Sequence, residues 1–263
     1  MARCRLCSGP VRDAFQGRVL GKYDVRYERC DSCGSLQTEP PHWLEEAYRS
    51  HNLAVEDTGA VTRSLTCQAV IWVSARILHL PKRASVFDFG GGNGLLCRLL
   101  RDRGFDAHLE DNYATNDFAR GFEDNRSTYD ISCAFEVAEH LADPKVEMPK
   151  ILNRSQALCV VGTETYFGQG ADWWYLAREA GQHVFFYTEA SMLKLAAAEG
   201  RDYLRIGSFH LFLARAFTKF ERAALMHIIA GRGLKLVQAY LSYTLSYARA
   251  IEDAAALAKV RNG

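Results

Sequence analysis

Several things are scarce in this sequence, and each scarcity excludes something. Charge of one sign is hardly in surplus: 32 Lys and Arg stand against 31 Asp and Glu, a formal net charge of +1. A chain that grips phosphate backbones by charge carries a basic excess, so the balance argues against nucleic acid and for a small molecule as partner. No window reaches the ~18 uninterrupted apolar residues that a membrane span needs, and Met1, Ala2, Arg3 and Cys4 open the chain without an apolar run. A cytoplasmic location is therefore expected. Internal repeats and low-complexity blocks are missing as well. With 48% hydrophobic residues over 263 positions, the chain can bury one large core and a small satellite.

What is present begins with cysteine. Cys4 and Cys7 form one C-x2-C pair and Cys30 and Cys33 another, with twenty-two residues between the pairs. Each pair on a tight turn aims two thiolates at one point, and two pairs complete a tetrahedron, so a structural zinc ion with no open position is expected. The segment around them is poor in long apolar runs and needs such a staple. Cys67, Cys97, Cys133 and Cys159 sit singly in apolar surroundings and read as small buried hydrophobes.

Beyond Pro41, WLEEAYRSHN and the stretch from Leu65 to about Leu80, stopped by Pro81, read as helices. From Ser85 the pattern changes. VFDF reads as a short buried strand, GGGNG as a turn, and LLCRLLRDRG as a helix with leucines on one face that Gly104 closes. Further strands are expected at Ala107 to Glu110, Asp130 to Phe135, Ala157 to Gly162 and in SFHLFLARA, with a helix capped by Thr188 between the last two. Strands alternating with helices predict an α/β fold, a Rossmann-like and mostly parallel sheet with helices on both faces. The tail from Thr218 to Val260 reads as two helices broken at Gly231 to Gly233. Leu236, Tyr240, Tyr243 and Tyr247 recur there at helical spacing, which predicts packing on the domain's own surface or, second, a homodimer contact.

The block from Val86 to Gly94 places Asp88, Gly90, Gly92 and Gly94 in the order D-x-G-x-G-x-G between a strand and a helix. Without β-carbons at Gly90 and Gly92 the main chain can approach a nucleoside, and the helix start can receive a carboxylate. A dinucleotide fingerprint needs glycine where Leu95 stands. An acid ~20 residues further on should hold the ribose hydroxyls. Glu110 and Asp111 are both there; alternation lets only one face the crevice, and Asp111 is the preferred one.

VFDFGGGNG and YDISCAFEVAEHLADP together resemble the first and fourth motifs of class I S-adenosylmethionine (SAM)-dependent methyltransferases. Glu136, Val137, Glu139, His140 and Pro144 match the E-V-x-E-H-x-x-x-P pattern of members acting on small molecules. The resemblance implies that Asp88, Gly90 and Gly92 lie against SAM, that Asp111 holds its ribose, and that Phe135 and Glu136 stand near cofactor and acceptor. With the four-cysteine module it is similar, over roughly Cys4 to Ala214, to a group that modifies sugars, nucleotide-sugars or polysaccharide precursors; EDTGAVTRS and GQHVFFYTEASMLKLA share in that likeness. The expected organisation is a zinc-binding, zinc-ribbon-like module at 1–41, a helical connector at 42–83, a SAM-binding domain at 84–216 and a C-terminal helical extension at 217–263. The third strand is hard to find in NYATNDFARGFEDNRST, so the adenine-recognising residue stays open among Asp117, Glu123 and Asp124.

Methyl transfer from a sulfonium is an in-line displacement that needs donor carbon and acceptor atom held collinear and dry. A hydroxyl acceptor needs a base as the bond forms, an activated carbon needs one at another step, and imidazole suits either near neutral pH. His140, just after the fourth expected strand, is the first candidate base, and His183 in GQHVFFY the second. Glu136, Glu139 and His140 alternatively gather a divalent cation. Glu164 and Tyr166 share that sheet edge, and Trp173, Trp174 and Tyr175 either fill a core, the commoner use of an aromatic cluster, or form a wall for a sugar ring. RNA methylation and a non-catalytic SAM sensor are the competing functional readings.

Overall fold

The computed structural model describes residues 2–50, 58–244 and 248–261. The central sheet is built from β4 (Ser85–Phe89), β5 (Asp106–Glu110), β6 (Tyr129–Phe135), β7 (Ser155–Gly162), β9 (Asp202–Ile206) and β10 (Phe209–Leu213), in the spatial order β5-β4-β6-β7-β10-β9. The first four run parallel, and β10 lies antiparallel between β7 and β9. The mostly parallel α/β sheet read from the sequence is the one observed.

Alternation along the strands feeds two cores. Ile131, Cys133, Leu158 and Val160 join one face, where α2 (Ala60–Ile77), α3 (Leu95–Arg101) and α6 (Lys219–Ile229) contribute Ile71, Leu100 and Leu225. Ala134, Cys159 and Val161 join the other, covered by α4 (Pro144–Asn153) and α5 (Glu189–Ala198) through Ile151 and Met192. A fully buried side chain such as Phe87 contributes about 1.5–3 kcal/mol through the water it sheds. All four single cysteines are buried in these layers. Thr188 caps α5, its Oγ1 accepting from Ser191 N at 3.1 Å.

The missing third strand is a physical feature. Beyond β5 only one parallel bridge forms, Leu109 to Glu123, because the polar segment offers no apolar alternation to bury. The β9 strand was not read from the sequence; DYLRI pairs with β10 across a turn at Gly207, φ +63.

The N-terminal segment forms β1 (Val11–Val19), β2 (Tyr23–Cys30) and β3 (Leu36–Thr38), and β8 (Phe185–Phe186) completes this second, four-stranded sheet. Arg5 ties the segment to later chain, donating to the carbonyls of Ala142 and Val184 as well as to that of Thr38 in β3. Helix α1 (Leu44–Ser50) follows, and α2 starts five residues before the expected Leu65.

The tail departs from its two-helix reading: α6 is followed by α7 (Gly233–Tyr243) and α8 (Ala248–Arg261). Leu234, Val237 and Leu257 pack on the core, whereas Leu236, Tyr240 and Tyr243 are exposed, so the expected packing stripe faces outward. Tyr247, and the start of EDTGAVTRS, lie outside the described residues. Asp253 on α8 receives a bidentate ion pair from Arg101, at 2.7 and 2.8 Å, which fastens the tail to α3. Among the described residues no helix is long and apolar enough to cross a membrane.

Candidate active site

The chain passes from β4 to β5 on one side and returns to β6 on the other, so the strand order reverses at β4. Open α/β sheets form a crevice at the carboxyl ends of the strands at such a point. A cavity of about 900 Å³ lies there, lined by the ends of β4, β5 and β6 and by residues of α1 and α2.

One lining is the turn after β4. Gly90 has φ +67, and a β-carbon there would stand 2.6 Å from Val137; Gly92 has φ +57, and a β-carbon there would meet nothing within 4 Å. Gly90 is thus required by packing and Gly92 leaves open space beside the main chain. Asp111 fixes this turn. Its Oδ2 accepts from Gly92 N at 2.9 Å, and its Oδ1 accepts from Tyr113 N and Ala114 N, each at 2.8 Å. Asp88 is buried, with Cys133 donating to its Oδ1 and no hydrogen-bond partner at Oδ2. Burial pushes its carboxyl up to about 7.

The other lining follows β6. Glu136 holds φ +55, an uncommon conformation for a residue with a side chain, and its carboxyl is raised by burial and then by Glu139. Glu139 is fully buried behind it, accepting from Tyr175 Oη at 2.7 Å on Oε1, while Oε2 has no partner. The rings of His140 and His183 meet edge to face at 4.8 Å between centroids, and burial lowers both imidazoles. His183 Nδ1 lies 2.6 Å from the Tyr175 carbonyl. A carbonyl can only accept, so Nδ1 carries the proton and Nε2 the lone pair. Tyr48 stacks face to face on Tyr113 at 4.2 Å and brings its hydroxyl within 3.4 Å of His140 Nδ1.

Of the residues expected at the site, Asp88, Gly90, Gly92, Asp111, Phe135, Glu136, His140 and His183 all line this cavity. Three placements bear on those expectations. Gly94 is not in the lining; it precedes α3 at φ +83, and a β-carbon there would collide with Asn116. Glu110 lines the cavity together with Asp111, because Asp111 has already left the strand and alternation no longer applies. Glu164, Tyr166 and the Trp173 to Tyr175 trio are also outside the lining. Tyr166, Tyr175 and Trp173 pack in the core beside the second sheet, and Trp174 faces solvent. Tyr48 went unnoticed in the sequence, since nothing in EEAYRS marks a helix that folds back over a sheet edge.

The four paired cysteines also converge. Cys4 and Cys33 Sγ are 3.7 Å apart, Cys7 and Cys30 Sγ 3.5 Å, and all four lie within 4.8 Å of one another.

The family comparison decides what kind of protein carries this cavity: residues 66–205, more than half the chain, match the family model of a methyltransferase domain. The chain belongs to that methyltransferase family. No curated protein matches it. Among solved structures it is similar to the Burkholderia thailandensis 1,6-didemethyltoxoflavin-N1-methyltransferase, at 16% identity over 72% of this chain and 93% of that one, with a TM-score of 0.45. It is also similar to the magnesium protoporphyrin IX methyltransferase of Synechocystis PCC 6803, at 14% identity over 65% and 90%, with a TM-score of 0.40. The family match alone carries the classification of this methyltransferase as an enzyme.

Proposed function

We propose that this methyltransferase takes its methyl group from SAM held at the glycine turn and delivers it to a hydroxyl or carbon of a small, sugar-like acceptor, such as a nucleotide-sugar or polysaccharide precursor. The carrying observation is that Gly92, with open space where a β-carbon would be, and the Glu136, His140 and His183 side chains line one cavity. That vacant cradle fits a bound nucleoside, and Asp88, Gly90, Gly92, Asp111 and Phe135 would hold the cofactor. When bound, SAM supplies a methyl group on a positively charged sulfur.

The chain's own residues do the rest. The Asp111 carboxylate keeps the turn in shape, and with Glu110 it offers acceptors for ribose hydroxyls. Phe135 and Val137 give the crevice an apolar wall, and the stacked Tyr48 and Tyr113 stand at its edge. Glu136, His140 and His183 supply carboxylate and neutral imidazole for the acceptor's proton. Incubation with methyl-labelled SAM and a pool of nucleotide-sugars and precursor glycans should label one acceptor class. Tight SAM binding with every pool unlabelled would favour a sensor instead.

Zinc is our reading of the four-cysteine cluster. A tetrahedron drawn at zinc–sulfur distances of ~2.3 Å has edges of ~3.8 Å, close to the spacings found. On the same reading the 1–41 segment depends on the ion for its fold. Stripping the metal should release 1–41 to limited proteolysis, with native mass spectrometry reporting the loss of one zinc.

A further inference from the structure

We propose that Glu139, His140 and His183 form a second metal site, which holds a divalent transition-metal ion at the cavity wall and presents it to an oxygen of the acceptor. The inference rests on the reading above only in placing the acceptor in the same cavity.

The donor set is two imidazoles and one carboxylate, with ligand atoms all within 4.8 Å of one another. Glu139 Oε1 stands 3.9 Å from the Nε2 of each histidine. That is too long for a hydrogen bond. It is about half an ångström beyond the ~3.4 Å edge of a tetrahedron drawn at ~2.1 Å metal–ligand distances. The remaining edge, between the two imidazoles, is no longer than 4.8 Å, so inward movements of ~0.5–1.4 Å along the edges close the site.

Two independent observations point to a ligand. Glu139 is fully buried: its Oε1 faces both histidines and accepts from Tyr175 Oη, and its Oε2 has no hydrogen-bond partner, so the carboxylate as a whole is under-satisfied, a costly arrangement unless something positive completes it. The outer partners are also those a metal site uses. The Tyr175 carbonyl fixes His183 with its proton on Nδ1, Tyr48 Oη sits at His140 Nδ1, and Tyr175 Oη orients the carboxylate. Each histidine thus has Nδ1 engaged and Nε2 on the side of Glu139.

Both histidines line the cavity, so coordination positions on that side stay open to a ligand. An acceptor hydroxyl, or a pair of vicinal hydroxyls, fills them; coordination makes the hydroxyl more acidic, and with both imidazoles taken up as ligands its proton passes to the Glu136 carboxylate, which narrows the bases named above to that one group. Mixed nitrogen and oxygen ligands suit zinc, iron, cobalt or manganese and separate this site from the all-sulfur cluster.

The test is a Co2+ titration of the zinc-loaded protein followed by visible absorption. One equivalent should bind with ligand-field bands and without thiolate-to-metal charge transfer. His140→Gln, His183→Gln and the isosteric Glu139→Gln should each weaken uptake at least tenfold. Circular dichroism and SAM calorimetry on the same variants report that the fold is intact. No Co2+ uptake by the parent protein, or uptake unchanged in all three variants, would overturn the site. SAM binding without Co2+ uptake overturns the metal site alone; Co2+ uptake without SAM binding overturns the proposed function and leaves the metal site standing.

Discussion

The two linings of the cavity solve opposite problems. Around the glycine turn the backbone itself shapes the surface: Asp111 accepts three main-chain N–H bonds, and the under-satisfied carboxyl there, Asp88, is buried beneath the turn. After β6 the groups are crowded and under-satisfied, with Glu136 strained at positive φ, Glu139 short of a partner and two imidazoles kept neutral by burial. A surface of fixed main-chain geometry binds the same ligand in every turnover. A cluster of poorly solvated titratable groups suits proton or ion traffic, which is why perturbed groups gather at reacting centres.

The comparison is broken most severely at His140. His140→Ala should slow turnover ~100-fold or more while SAM affinity changes little; steady-state kinetics beside calorimetry checks this, and unchanged turnover would remove the histidine from the chemistry. Asp111→Ala should do the reverse, weakening SAM binding about tenfold through a slackened turn while saturated turnover stays within a few-fold. A loss confined to turnover would contradict the division between the linings.

Glu136→Gln sharpens the contrast through pH. The Glu136 carboxyl is pushed up to about 7 by burial, so the folded protein keeps that proton where the unfolded chain has lost it. The stabilising contribution is full below the ordinary carboxylate range and disappears as pH rises through about 7. The glutamine variant should therefore gain melting temperature over the parent at pH 8 more than at pH 5. Its turnover should lose the rise that the parent shows between about pH 6 and 8. A difference in melting temperature independent of pH would mean that this carboxyl titrates normally.

Much of the sheet was legible because buried parallel strands are short apolar runs, as in VFDF and ISCAF, punctuated by turn glycines. The β9 strand escaped because DYLRI mixes polar with apolar residues and borrows its order from β10. The β1–β2 hairpin escaped for a related reason: β1 is mostly exposed and β2 half buried without a clean alternation, so pairing rather than burial marks them. At the cavity, local motifs revealed the glycine turn and the Glu136 to His140 stretch. Convergence of His183 and Tyr48 on that stretch comes from chain segments 43 and 92 residues away and leaves no local pattern. The aromatic trio stayed ambiguous because tryptophan and tyrosine look alike in sequence whether they line a cavity or fill a core; Trp173 and Tyr175 pack in a core and Trp174 faces solvent.

The central claim is that the turn after Asp88 leaves main chain open to a methyl-donating nucleoside. Isothermal calorimetry of zinc-loaded protein with SAM and its demethylated product, in the parent and in Gly92→Val, tests it most directly. The account predicts one site per chain with about micromolar affinity in the parent, and at least a hundredfold weakening in the variant, whose side chain would stand in the open space beside the turn and strain it at φ +57. No binding by the folded parent, or equal binding by Gly92→Val, would contradict it.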